Sequence, residues 1–211
     1  ILRLSGDEYI EGGLNLKEAK KIAQLMEGET VDAIHVSAGT YGSFEWVVQP
    51  MLKPRGCLVH LAEGIKEAVK IPVIAVGRIN DPVLADSIIK EGKADLISMG
   101  RALIADPDLA QKTKEGRIKE IRKCLACNEC IKRIFYELKE IRCSVNPELG
   151  RDETPKPTEA PKRILVIGGG PGGMESAMVA RMRGHDVTLW EKKMDLGGKL
   201  TLASKLPKRG E

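Results

Sequence analysis

VGRINDPVLAD at residues 76–86 and ISMGRALIADPDL at residues 97–109 decide how the fold is read. Each contains a Gly-Arg pair directly after an apolar run, PVIAV before Gly77-Arg78 and ADLISM before Gly100-Arg101. Each then reaches an Asp-Pro pair, Asp81-Pro82 and Asp106-Pro107. An acid followed by proline is a favoured helix start, because the carboxylate accepts from free first-turn amides and proline has no amide to leave unpaired. Strand, Gly-Arg turn and helix thus follow one another twice. Glycine lets a ligand approach the backbone, and the guanidinium beside it grips phosphate through a two-pronged fork. Paired turns of this kind after consecutive parallel strands match the phosphate site after strands 7 and 8 of a (β/α)8 barrel. The plainer reading is that glycine ends each strand and arginine faces water.

The same alternation extends back to the first residue. Leu2 to Ser5 reads as a strand, and Asn15 with Glu18 reads as a capping pair for a helix whose Ala19, Ile22, Ala23 and Met26 share one face. A strand over Val31 to Ser37, a helix over Leu58 to Val69, and strands over Pro72 to Val76 and Ala94 to Met99 complete the series, with a helix opening at Asp106-Pro107. Such a repeat requires parallel strands with covering helices. Both a doubly wound sheet and a (β/α)8 barrel satisfy it.

The two Gly-Arg stretches together closely resemble the flavin barrel of the old yellow enzyme family, and RLSGDE at residues 3–8 resembles that family's fifth strand. The resemblance implies that residues 1–115 are the C-terminal half of an FMN-binding (β/α)8 barrel, strands 5–8. It implies that Arg3 reaches the pyrimidine edge of FMN, and that Arg78, Gly100 and Arg101, with Gly77 in the same turn, hold the flavin phosphate. VDAIHVSAGTY at residues 31–41 becomes strand 6 and a substrate-facing loop. Tyr41 falls where the dienoyl-CoA reductase branch carries an active-site histidine, which makes it a candidate acid or orienting group; otherwise it is an ordinary loop residue. His35 reads as a strand residue without a catalytic role, and His60 lies on a helix without an evident partner.

Residues 116–150 change character, with a charged helix, a cysteine group and a second helix around Ile131 to Leu138. Cys124, Cys127 and Cys130 are each separated by two residues, and Cys143 follows after twelve more. Three sulfurs from one tight turn with a distant fourth suit a 4Fe-4S cubane, where each iron corner takes one cysteine. Structural zinc, usually held by two separated CxxC knuckles, and free thiols are the alternatives. Cys57 reads as an ordinary buried thiol. Residues 151–161, RDETPKPTEAP, are proline-rich and polar and read as a linker.

From 162 to 211 the chain reads as the start of a Rossmann-like domain. Gly168-x-Gly170-x-x-Gly173 lies between the strand Arg163 to Ile167 and a helix over Gly172 to Arg183, the context in which this pattern cradles a pyrophosphate. Glu191, at the end of a second strand over Asp186 to Trp190, is placed to accept from a ribose. Gly197-Gly198 resembles the second glycine pair of FAD-binding disulfide-reductase-like domains, which favours FAD over NAD.

The net charge of +4 with both signs interspersed gives no reason to expect nucleic acid or a membrane surface as a partner. No apolar run approaches the roughly 20 residues that span a bilayer. Crowded, odd-numbered cysteines make a poor disulfide framework and point to a reducing, cytoplasmic setting.

The order of flavin barrel, cysteine group, linker and GxGxxG resembles the iron-sulfur flavoenzymes that include 2,4-dienoyl-CoA reductase, trimethylamine dehydrogenase and the bile-acid-inducible oxidoreductases. That resemblance implies electrons passing from NADH or NADPH to FAD, to the cluster, to FMN and on to an enone or enoyl-CoA. In the amine dehydrogenases the current runs in reverse. Rival readings are a non-catalytic electron-transfer module and a glutamate-synthase-like electron-input subunit, against which the paired Gly-Arg turns argue. The chain opens at Ile1 without an initiator methionine and carries four of eight barrel strands, so it is expected to be an inactive piece of a longer, homo-oligomeric enzyme.

Overall fold

A computed structural model describes residues 1–151 and 155–205; the linker expected at 151–161 and the segment expected at 162–211 lie partly outside them. The chain divides into two compact units, Ile1–Leu149 and Gly150–Glu211.

The first unit is built on a four-stranded sheet, β1 (Leu2–Ser5), β2 (Ile34–Ser37), β3 (Val73–Ala75) and β4 (Leu96–Ile97), in that spatial order. All neighbouring pairs are parallel. Helices α1 (Leu16–Glu27), α3 (Val59–Lys66) and α4 (Pro82–Lys90) cross between successive strands. A four-residue helix, α2 (Phe44–Val47), lies in the β2-to-β3 connection. The capping pair expected at the start of α1 is present. Asn15 Oδ1 accepts from the amides of Lys17 and Glu18 at 3.1 and 3.2 Å, and Glu18 Oε2 accepts from the Asn15 amide at 3.1 Å. Asp81 caps α4 in the same way, accepting from Val83 N at 2.9 Å with proline at the first position.

Side chains alternate across each strand. Ile34 and Val36 of β2 and Val73 and Ala75 of β3 are buried with Leu58, Leu61, Ala62 and Ile65 in one core. The intervening residues point to the opposite face. There the register sets Arg3 beside His35 and His35 beside Ile74.

Three expected elements differ. The strand expected over Ala94 to Met99 is regular only over Leu96–Ile97, with the flanking Asp95 and Ser98 amides donating to Val73 O and Ala75 O at 2.9 and 2.8 Å and the Asp95 side chain accepting from Val73 N at 2.9 Å and from Lys66 Nζ. Asp106 does not cap a helix. It closes the short α5 (Arg101–Ala105), and α6 (Leu109–Lys114) begins three residues later. The buried Asp106 carboxylate instead accepts from Lys112 Nζ at 2.7 Å, Asp108 N at 3.1 Å and Arg122 N at 2.8 Å, fixing the chain that leads to the cysteines. The charged helix expected after residue 116 is a single 3-10 turn, Ile118–Glu120, beside which Arg117 bonds Glu115 and Glu120. The second helix of this segment, α7, spans Glu129–Phe135.

The second unit pairs β5 (Arg163–Ile167) in parallel with β6 (Asp186–Trp190), joined by α8 (Pro171–Met182) and followed by α9 (Leu200–Ala203). Among the described residues no helix is long and apolar enough to cross a membrane.

Candidate functional site

Five residues singled out from the sequence, Arg3, Gly77, Arg78, Gly100 and Arg101, line one cleft of about 230 Å³ in the first unit. Gly77 makes this turn possible: its φ is +121°, and a Cβ there would stand 2.7 Å from Leu58 Cβ and Cγ. Arg78 follows at φ +52°, unusual for a side-chain-bearing residue, and its Nη1 donates to the Lys53 carbonyl. Arg101 donates through Nη1 to Gln49 O at 2.7 Å and to Asn128 Oδ1, and through Nη2 to Gln49 Oε1 at 3.3 Å. The fixed cations favour an anion in the cleft.

Sequence reasoning missed several residues of this wall, among them His35, Gln49, Asn80 and Ser98. His35 Nε2 and Asn80 Oδ1 are buried without a hydrogen-bond partner. Burial, reinforced by the neighbouring Arg3 charge, holds the imidazole below the usual histidine range, which favours its neutral form. A buried polar atom left unpaired costs about 1–3 kcal/mol. Two of them beside three arginines fit a phosphorylated ligand that also carries uncharged hydrogen-bonding groups. FMN is such a ligand. The signal for His35 was its register with Arg3, which a sequence does not display.

Tyr41 stands elsewhere. It lies on a 3-10 turn, Tyr41–Ser43, fixed by reciprocal bonds between Thr40 and Ser43, is 89% exposed and is not part of the cleft wall. Its ring stacks on Phe44 at 6.5 Å. Trp46 is sandwiched, with the Tyr9 ring 3.9 Å away at 13° and Lys53 Nζ 3.4 Å from its centroid. His60 does have a partner, the Tyr9 hydroxyl at 3.2 Å.

Cys124, Cys127, Cys130 and Cys143 line a second cavity in the same unit, together with Arg101 and Ser144. Ala126 and Asn128 take left-handed φ of +53° and +58°, so the CxxCxxC turn is strained in a way that functional sites sustain. The Ala126 amide donates to Cys124 Sγ at 3.4 Å, and Cys127 Sγ lies 3.3 Å from Ser144 Oγ. Burial pushes the Cys124 and Cys130 thiols above the usual range. Among the described residues no group of three or more Cys, His, Asp or Glu side chains is arranged to hold a metal ion. Cys124, Cys127, Cys130 and Cys143 nonetheless border the same small cavity, of about 10 Å³, and four cysteines are the donor set of a 4Fe-4S cluster, one to each iron.

In the second unit Gly168 turns at φ +104° and its amide donates to Trp190 O at 2.7 Å. Gly173 has no room for a side chain, since a Cβ would lie 1.9 Å from Gly168 O. Gly170 faces open space, as close approach of a pyrophosphate requires. Glu191 Oε2 accepts from Gly169 N at 2.6 Å and Oε1 from Lys193 N at 3.0 Å. The Gly169 amide, then those of Lys193 and Lys192, hold its carboxyl below the usual range. Glu191 thus braces the glycine turn from below while bordering a cleft with Ile167, Gly168 and Trp190. Gly197 N donates to Gly169 O at 2.7 Å, and Gly198, at φ +54°, lies against Gly170. The residues present fit a dinucleotide.

Comparisons with known proteins agree with this division. Residues 1–120 match the family described as NADH:flavin oxidoreductase / NADH oxidase, and residues 163–210 match FAD dependent oxidoreductases. The chain is 49% identical over 210 residues to an NADH oxidase of Thermoanaerobacter brockii, covering 97% of this chain and 32% of that one. Among solved structures it is similar to a 2-naphthoyl-CoA reductase complex, with a TM-score of 0.93 at 35% identity over 100% of this chain and 33% of that one. It is also similar to the histamine dehydrogenase of Rhizobium sp. 4-9, with a TM-score of 0.88 at 32% identity over 99% and 31%. The chain spans about a third of the length of the relatives it matches.

Proposed function

Since the chain belongs to the NADH:flavin oxidoreductase / NADH oxidase family, we propose that it is the middle of an NAD(P)H-dependent flavin oxidoreductase that reduces an enone or enoyl-CoA. In this reading residues 1–115 are strands 5–8 of an FMN barrel, 116–150 are the cluster segment, and 162–211 open the FAD domain. Arg78, Gly100 and Arg101 hold the FMN phosphate, and Arg3 and neutral His35 face the flavin ring. Cys124, Cys127, Cys130 and Cys143 hold a 4Fe-4S cluster. Gly168, Gly170, Gly173, Glu191 and Gly198 receive FAD.

When bound, these groups supply the redox chemistry: two-electron exchange with NADH or NADPH and with substrate at the flavins, and single-electron passage at the cluster. The chain's own part is to orient and to tune. The arginines fix the phosphate end so that the ring's position is set, and Arg3 places positive charge where a reduced ring becomes negative. Cys130 is buried and Cys124 partly buried, which limits water at those two sulfurs.

One observation carries the proposal: Arg101 and Cys124 belong to the walls of both the arginine cleft and the cysteine cavity. A shared wall is what single-electron transfer between two groups needs, and a pair of unrelated sites would not require it. The 2-naphthoyl-CoA reductase likeness supports an acyl-CoA acceptor. The histamine dehydrogenase likeness supports the second reading, an amine dehydrogenase with the current reversed.

The test is an anaerobic titration of the full-length parent with NADH and with NADPH, followed by absorption and EPR, alongside acid-released FMN, FAD and iron. Both flavins, about four irons per chain and an EPR signal on reduction support the relay. Zinc in place of iron with no such signal overturns it. Substrate assays with an enoyl-CoA and an amine then separate the two directions, and a parent that keeps iron without FMN is an electron-transfer module.

A further inference from the structure

Asn80 lies two residues after Arg78, is 3% exposed, and stands in the wall of the arginine cleft. Its Nδ2 donates to the carbonyl of Cys124 at 2.7 Å. A carbonyl oxygen only accepts, so this bond fixes which end of the amide faces the cysteine. The other end, Oδ1, is buried and has no partner. An amide with one end engaged and the other unsatisfied in a cleft wall is half of a bridge.

The next residue repeats the link. Asp81 Oδ2 receives Lys123 Nζ, while Asp81 Oδ1 caps α4 through Val83 N. Consecutive residues of the β3-to-α4 turn thus hold consecutive residues at the start of the cysteine segment. Asp81 is satisfied within the protein and serves to anchor. Asn80 is not, and that distinguishes it from a purely structural contact.

Resting on the cofactor assignment above, we propose that Asn80 is a positioning residue that couples the two sites. Its free oxygen accepts from a hydroxyl or N–H group of the flavin in the cleft, and its amide nitrogen holds the peptide of the first cluster cysteine. Occupying the cleft stabilises the one orientation in which Asn80 also steadies Cys124, so flavin binding and cluster retention reinforce each other. Linkage makes the effect reciprocal: whatever factor FMN adds to cluster retention at equilibrium, the cluster adds to FMN affinity.

The experiment uses the full-length parent as holoenzyme, Asn80→Leu and Asn80→Asp. Iron loss to a ferrous chelator is followed with and without saturating FMN, and the FMN dissociation constant is measured before and after iron removal. In the unaltered protein FMN is expected to slow iron loss, and iron removal to weaken FMN about fivefold or more, the lower end of ordinary coupling. Asn80→Asp keeps an acceptor toward the cleft and loses the donor to Cys124. It is expected to bind FMN no more tightly with iron present than after iron removal, and to show no FMN-dependent slowing of iron loss. Asn80→Leu loses both properties; should it fail to fold, Asn80→Asp decides. Equal protection by FMN in the parent and in Asn80→Asp, or no coupling in the parent itself, overturns the inference while leaving the cofactor assignment standing. A parent without FMN or without iron removes that assignment instead.

Discussion

Gly77→Ala separates the structural from the ligand-binding role of the Gly-Arg turns. The new Cβ would lie 2.7 Å from Leu58 Cβ and Cγ, against the roughly 3.5–4.0 Å of carbon contacts at rest. Leu58 is 1% exposed and packed in the main core, so it has nowhere to retreat. Overpacking of this kind costs about 1–3 kcal/mol. Holding a side-chain-bearing residue at φ +121° adds about 1–3 kcal/mol more. The total, about 2–6 kcal/mol, is a large share of the 5–15 kcal/mol that typically holds a domain together. Gly100→Ala is the matched comparison, because at φ −94° its Cβ meets nothing within 4 Å. It is expected to leave stability within about 0.5 kcal/mol while weakening FMN, since the methyl occupies ligand space in the cleft. Urea unfolding of the full-length parent and its two variants, with FMN titration of each, reads both effects. The reasoning is refuted if Gly77→Ala unfolds with the parent, or if Gly100→Ala is destabilised as strongly as Gly77→Ala.

Serine in place of Cys124, Cys127, Cys130 or Cys143 is expected to lower bound iron in each case, whereas Cys57→Ser keeps the full complement; equal iron in all five would refute the ligand assignment. The buried Asp106 carboxyl is raised by desolvation, but its bonds from Lys112 and the Arg122 and Asp108 amides outweigh this and hold it below the usual range. A carboxyl lowered by folding contributes stability that is present above its unfolded pKa of about 3.9 and fades as pH falls through the folded value. Asp106→Asn should therefore be less stable than the parent at pH 7, with the gap narrowing toward pH 3 in urea titrations; a gap that does not narrow refutes the assignment. Gly173→Ala forces a methyl against Gly168 O, so FAD content is expected to fall well below that of Gly172→Ala, whose Cβ is unobstructed; equal FAD in the two variants would count against the turn as the FAD site.

Much of this was legible in the sequence because local chemistry decides it. The Asn15–Glu18 pair and Asp81-Pro82 act within a few residues, and the structure places both caps as read, while Gly77 and Gly168 turn through positive φ. What was not legible depends on partners far along the chain. Asp106 has the same Asp-Pro signature as Asp81, yet the amide of Arg122, sixteen residues on, takes its carboxylate. His35 and Asn80 reach the cleft wall through strand register and through the cysteine segment, respectively. Tyr41, singled out by its resemblance in position to a histidine of the dienoyl-CoA reductase branch, stands 89% exposed on a turn held by the Thr40–Ser43 bond.

The two tryptophans of the chain divide between the two units, and this has a spectroscopic use. Trp46 is wedged between Tyr9 and Lys53, whereas Trp190 ends β6 with 62% of its surface in water. Trp46→Phe and Trp190→Phe would each leave a single tryptophan in this stretch of chain, blue-shifted for the sandwiched indole and red-shifted for the wet one, so that melting of either half can be watched by its own emission colour.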